Sequence, residues 1–132
     1  MKKFLFVLCI FSSVANAEIS CEDAGGKLLK GNDKETEYCA SYHGMNWWSA
    51  NAWCQSLGME LVDVQTECNK RTVSIGYTSA CPQLKKGTAF SDLQGWAKNT
   101  SSPSQALLIH LYTGQMYPAA KNGSYVALCL VK

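Results

Sequence analysis

Met45-Asn46-Trp47-Trp48-Ser49-Ala50-Asn51-Ala52-Trp53-Cys54-Gln55-Ser56-Leu57-Gly58 carries helix signals at both ends and along its length. Asn46 is a residue type that caps a first turn through its side-chain oxygen, and Gly58 supplies a stop. Between them Trp47, Ala50, Trp53, Cys54 and Leu57 recur at helical spacing, so one face is apolar. A helix is expected from about Asn46 to Leu57, with Trp47, Trp53 and the later Trp96 in the core. Trp48 must point about 100° away from Trp47 and reads as a surface side chain.

Downstream, Met59 to Val64 reads as a strand entering the core, and Gln65 to Arg71 as a short second helix. Thr72 to Gly95, with Gly76, Pro82 and Gly87, reads as mostly irregular. Ala106 to Tyr112 is an apolar run interrupted by His110, and Thr113-Gly114 then signals a hairpin turn into Gln115-Met116-Tyr117. Lys121-Asn122-Gly123 gives a second hairpin signal before a strand from Ser124 to Val131. Upstream, Glu18 to Glu37 is polar, and turn signals flank Lys27-Leu28-Leu29-Lys30, which suggests a small hairpin. One or two helices followed by a meander of strands make an α+β domain with a mostly antiparallel sheet.

The chain opens with Met1-Lys2-Lys3, an apolar run from Phe4 to Phe11 and the small-residue pattern Ala15-Asn16-Ala17. This predicts a secretory signal peptide over residues 1–17, cleaved after Ala17. The run is too short for a membrane span, which needs about 20 apolar residues. Cys9 follows Leu8, where a lipid-attachment motif wants a small residue, so lipidation is not expected. The predicted organisation is an amino-terminal segment over 18–37 and a domain over 38–132. Without Lys2 and Lys3 the acidic and basic side chains balance, and nothing points to nucleic acid or an anionic membrane. Residues 18–68 hold nine of the ten acidic side chains, which reads as two solvated faces of opposite sign.

Beyond Cys9 the cysteines are Cys21, Cys39, Cys54, Cys68, Cys81 and Cys129. An even number in a short exported chain implies disulfides, for which six cysteines allow about 15 pairings. Zinc is not expected, because the nearest two of these cysteines, Cys68 and Cys81, are 13 positions apart with no histidine near either.

The segment Met45 to Gly58 with Leu61-Val62 resembles the first helix and next strand of C-type-lectin-like domains, chiefly in Trp53-Cys54, Gly58 and Leu61. Ser124-Tyr125-Val126-Ala127-Leu128-Cys129 resembles the last strand of that fold, whose cysteine bridges to the helix. Gly95-Trp96, Ser101-Ser102, Ala106 to Leu111, Thr113-Gly114 and Lys121-Asn122 are similar to compact bacterial members without the long ligand-binding loop. The resemblance covers about residues 38–131 and implies the pair Cys54–Cys129. Cys68 and Cys81, flanking a turn-rich stretch, would then form a local staple, and Cys21 and Cys39 would tie down the amino-terminal segment. The calcium-dependent members use Glu-Pro-Asn or Gln-Pro-Asp and Trp-Asn-Asp, and this chain has neither. Pro103 stands between serines and Asp92 is the sole carboxylate after residue 68, so a calcium site is not expected.

An enzyme is not expected either. The cysteines read as half-cystines, and His43, in a loop before the helix, and His110, a solvent-facing side chain on a strand, form no evident triad. Glu60 and Asp63 read as a surface pair. No cofactor is implied. Four tryptophans and six tyrosines suffice for a recognition surface as well as a core. The expected contacts are Trp48, His110, Tyr112 and Tyr117, together with Asn99, Ser102 and Gln105 from a polar loop placed where relatives bind ligands. The expected function is calcium-independent recognition or adhesion, on a glycan or a cell-surface protein, by a secreted, periplasmic or surface-displayed module. The alternative is an accessory component of an envelope or pilus-like assembly.

Overall fold

The computed structural model describes residues 19–68, 81–87 and 93–132. The expected signal peptide and its cleavage point lie outside them, as does the end of the expected second helix. Helix α1 spans Trp47–Ser56. Asn46 Oδ1 accepts from Ser49 N at 2.8 Å, Leu57 N closes on Cys54 O at 3.0 Å, and Gly58 follows at a φ of 74°. Ala50, Cys54 and Leu57 are buried, as the apolar spacing requires. Helix α2 is the single turn Val64–Glu67, capped by the Asp63 carboxylate.

Seven strands form one sheet among the described residues: β1 Gly26–Lys30, β2 Glu37–Met45, β3 Glu60–Leu61, β4 Gln94–Ser102, β5 Gln105–His110, β6 Met116–Ala120 and β7 Tyr125–Leu130. Their order is β1-β2-β7-β4-β5-β6, with β3 also pairing β7. The architecture is α+β: two helices on a mostly antiparallel sheet with three disulfides. β4 and β7 run parallel. Lys27 to Lys30 falls in β1, the first arm of a hairpin whose second arm is β2.

Four sequence expectations need correction. Met59 to Val64 is a strand only at Glu60–Leu61, with a bridge from Val62 to Ala97, because Asp63 turns the chain into α2. His43 lies on β2, not in a loop, where the register with β7 slips between Ala40 and Gly44. Lys121-Asn122-Gly123 does turn, with Gly123 N donating to Ala120 O at 2.9 Å, yet it joins no hairpin. From it the chain leaves β6 at the sheet edge and inserts β7 between β2 and β4, so only β4 to β6 form a meander. Trp96 is fully buried, whereas Trp47 and Trp53 lie half-buried on the core's margin.

Side chains alternate across the sheet and build a core on each face. Trp96, Ala106, Leu108, Ala127 and Cys129 pack under α1 with Cys54. Tyr38, Ala97, Leu107, Ile109 and Leu128 pack on the other face with Val64 of α2 and Leu84 of the 3₁₀ turn Pro82–Leu84. Where β2 slips against β7, the Ser41 hydroxyl accepts from Ala127 N at 2.9 Å and donates to His43 O at 2.8 Å. It thereby replaces a missing ladder rung in a buried place.

The disulfides are Cys21–Cys39, Cys54–Cys129 and Cys68–Cys81. Cys54–Cys129 spans 75 positions and Cys68–Cys81 spans 13. Loop-closure entropy gives them roughly 4 and 3 kcal/mol. Urea unfolding is therefore expected to show a larger loss for the Cys54→Ala/Cys129→Ala pair than for Cys68→Ala/Cys81→Ala.

On the second face Tyr38 holds three segments together. Its hydroxyl donates to Glu67 Oε1 at 2.6 Å and accepts from Gln83 Nε2 at 3.1 Å, while Gln83 Oε1 accepts from Asp33 N at 3.0 Å. Burial, and then the hydrogen bond to Glu67, pushes the phenol well above the ordinary tyrosine range. The unfolded chain ionises near pH 10 while the folded one keeps its proton, so the contribution is whole below that pH and is lost progressively as pH rises from there toward the higher value of the folded phenol. Tyr38→Phe is expected to lower stability by about 1–2 kcal/mol at neutral pH. Melting curves of variant and parent should converge above pH 10, because the variant has no phenol to deprotonate at this position.

Candidate functional site

The first turn of α1, the β4–β5 turn and the β6–β7 turn meet at one corner of the sheet. Trp47 N donates to Lys121 O at 2.9 Å, and Lys121 N donates to Ser104 O at 2.8 Å, so three backbones are stitched together. The Trp47 ring is fixed by its own Nε1–H, which donates to Ala97 O at 2.9 Å. Trp48 meets it edge-on, with centroids 6.2 Å apart and planes at 84°. Lys121 Nζ lies 4.4 Å from the Trp47 ring centroid and 5.8 Å from that of Trp48. Trp48 is 52% exposed, while Lys121 is 7% exposed. Behind them Trp96 donates from Nε1 to Met45 O at 2.8 Å and meets Tyr125 edge-on at 5.2 Å. The corner is thus a partly exposed indole pair backed by a rigid aromatic layer and underlain by an ammonium group.

Of the expected contact residues, Trp48, Ser102 and Gln105 come to this end. Ser102 and Gln105 close the β4–β5 turn opposite one another, and Ser104 N donates to Ser102 Oγ at 3.3 Å. The expected loop from Asn99 to Gln105 is a tight hairpin: residues up to Ser102 belong to β4 and Gln105 opens β5. Asn99 is a structural residue. Its Oδ1 accepts from Val64 N at 2.8 Å and its Nδ2 donates to Asp63 Oδ1 at 3.1 Å, which anchors the start of α2.

His110, Tyr112 and Tyr117 lie elsewhere. His110 is five residues beyond Gln105 on β5, roughly 17 Å away at strand rise. It is half-buried, not the solvent-facing side chain expected from its strand, and its Nδ1 is buried without a partner among the described residues. Tyr112 is exposed in the turn after β5, its ring 6.3 Å from that of His110. Tyr117 is half-buried on β6 and donates to Gln94 Oε1; burial and then Tyr125 push its phenol upward. Trp47, Lys121 and Ser104 were not expected as site residues. A lysine in a Lys-Asn-Gly turn reads as solvated, and only the tertiary crossing of β7 lays it on the indoles.

An open cleft of about 460 Å³ lies between Asp33, Thr36, Thr66, Glu67 and Gln83. Its polar groups largely satisfy one another. The Thr36 hydroxyl, then the N–H groups of Thr36 and Glu35, hold Asp33 well below the usual carboxylate range. Glu60 and Asp63 do not act as a couple: Glu60 pairs with Lys132 and Lys98, and Asp63 caps α2. Cys21, Cys39, Cys54, Cys68, Cys81 and Cys129 are all half-cystines and carry no free thiol.

Asn99→Ala is expected to lower stability by about 1–2 kcal/mol in denaturant titrations, through the lost anchor of α2, and to leave the tryptophan fluorescence of the indole corner unchanged. Neither a protein-family model, nor a curated protein, nor a solved structure matches the chain.

Proposed function

We propose that this chain is an exported recognition module of C-type-lectin-like fold that binds a glycan without calcium. The observation that carries the reading is Trp48. A large indole is half exposed at a place where helix capping, an edge-on partner and three stitched backbones fix its position. Exposed aromatic rings held in this way stack on the apolar faces of sugar rings with little ordering to be done on binding. The polar side chains of Ser104, Gln105 and Asn122 are exposed around the same corner and supply donors and acceptors for hydroxyl groups.

Two features favour the C-type-lectin-like reading of the fold. The first helix is bridged to the last strand by Cys54–Cys129, and the amino-terminal strand β2 pairs along that same last strand. The absence from the sequence of the proline-flanked carboxylate triplets favours binding without calcium.

The test is a glycan array probed with the purified, oxidised protein, with and without a calcium chelator. Selective binding that survives chelation and falls about tenfold in Trp48→Ala is the expected result, since a stacked ring is worth roughly 1–1.5 kcal/mol. Binding abolished by the chelator overturns calcium independence. A protein that binds no glycan overturns the reading and points to a protein ligand.

A further inference from the structure

Lys121 is an unusual lysine. Its side chain is more than nine-tenths buried, yet among the described residues no carboxylate pairs with it and no acceptor takes a hydrogen bond from Nζ. Its ammonium instead faces the rings of Trp47 and Trp48. A charge with no counter-ion beside it is incompletely compensated, and two indole faces supply only part of what a carboxylate would. Both rings belong to residues of the first turn of α1, the positive end of a ten-residue helix with no acidic residue in that turn. The ammonium and the capped start of α1 therefore lie together where Trp48 is exposed, and among the described residues no carboxylate pairs with the ammonium.

We propose that the corner binds an anionic saccharide, one whose ring stacks on Trp48 and whose carboxylate or sulfate group completes the charge of Lys121. The proposal rests on the recognition reading above and names its ligand class. The saccharide ring would cover the exposed indole, the anion would reach the ammonium at the margin of Trp47, and the exposed Ser104 and Asn122 would meet ring hydroxyls. A charge-assisted contact to the ammonium discriminates between an anionic sugar and its neutral counterpart.

The experiment follows quenching of intrinsic tryptophan fluorescence by the purified, oxidised protein. The probes are oligogalacturonate, sialyllactose and sulfated lactose, beside neutral oligogalactose and lactose. The expected result is at least about tenfold tighter binding of one anionic class than of its neutral counterpart. The carboxylate and sulfate arms tell which anion is taken. Lys121→Met keeps the apolar stem over Trp47 and is expected to erase the preference, while Lys121→Arg retains most of it. Salt supplies a readout on the unaltered protein. Raising ionic strength from about 0.05 to 0.5 M should weaken the anionic ligand several-fold and leave the neutral ones unmoved. Equal binding of anionic and neutral sugars, or a preference that survives both Lys121→Met and salt, overturns the proposal. Trp48-dependent binding of neutral sugars alone overturns it but keeps the recognition reading. Binding of no saccharide at all removes both.

Discussion

The insertion of β7 into the middle of the sheet is the constraint on which the rest of the fold depends. This strand pairs with β2 along one side and with β3 and β4 along the other, and Val126, Ala127, Leu128 and Cys129 are buried in consecutive positions. Both faces need it, because Leu128 enters one core and Ala127 and Cys129 the other. A strand buried on both faces reads as a continuous apolar run, and Val126-Ala127-Leu128 does so. The sheet cannot close until residues 125–130 are in place, and pairing so distant in sequence is slow to form. The Cys54–Cys129 bridge then fixes the outcome covalently, at the point where helix α1 meets β7.

What the sequence discloses follows from how local the cause is. Helix α1 is legible because its cap, its apolar face and its stop all lie within fourteen consecutive residues, and the structure keeps each of them. The turn at Thr113-Gly114 is legible for the same reason: Gly114 takes a φ of 78° there, and β5 and β6 pair across it. The turn at Lys121-Asn122-Gly123 has equally clear local chemistry, yet that chemistry fixes only a reversal of direction. Which strand the chain then joins is decided by the empty slot between β2 and β4, which no neighbouring residue announces. The polar run from Asn99 to Gln105 misleads in a similar way. Its residues look like a loop because β4 beyond Trp96 has lost β7 as a neighbour and no longer needs apolar side chains on both faces.

The candidate site divides along the same line. Trp48 is legible as exposed because adjacent residues on a helix cannot share a face, and Trp47 beside it had to turn inward. Lys121 is not legible, since its burial exists only after β6 and β7 have been placed and its backbone has bonded to both Trp47 and Ser104. Asn99 shows the converse. As a polar residue in a polar run it resembles a contact residue, but it completes the start of α2 across a distance of thirty-five positions. Side chains that recognise a neighbour far away in sequence are invisible until the neighbour is in place.

The bridge between α1 and β7 also sets how the domain carries mechanical load. Trp48 sits at one end of α1 and Cys54 near the other, and Cys54 is joined directly to Cys129, one residue before the end of β7. Tension applied between a ligand on Trp48 and the chain beyond Leu130 therefore runs along less than two turns of helix and through a covalent link. It bypasses the hydrogen-bonded strands almost entirely. With the bridge reduced, the same tension would pass through the packing of α1 on the sheet and the ladders that hold β7, which yield one bond at a time. Oxidation thus converts a fold held by many weak contacts into a short covalent tether between the exposed indole of Trp48 and the end of β7.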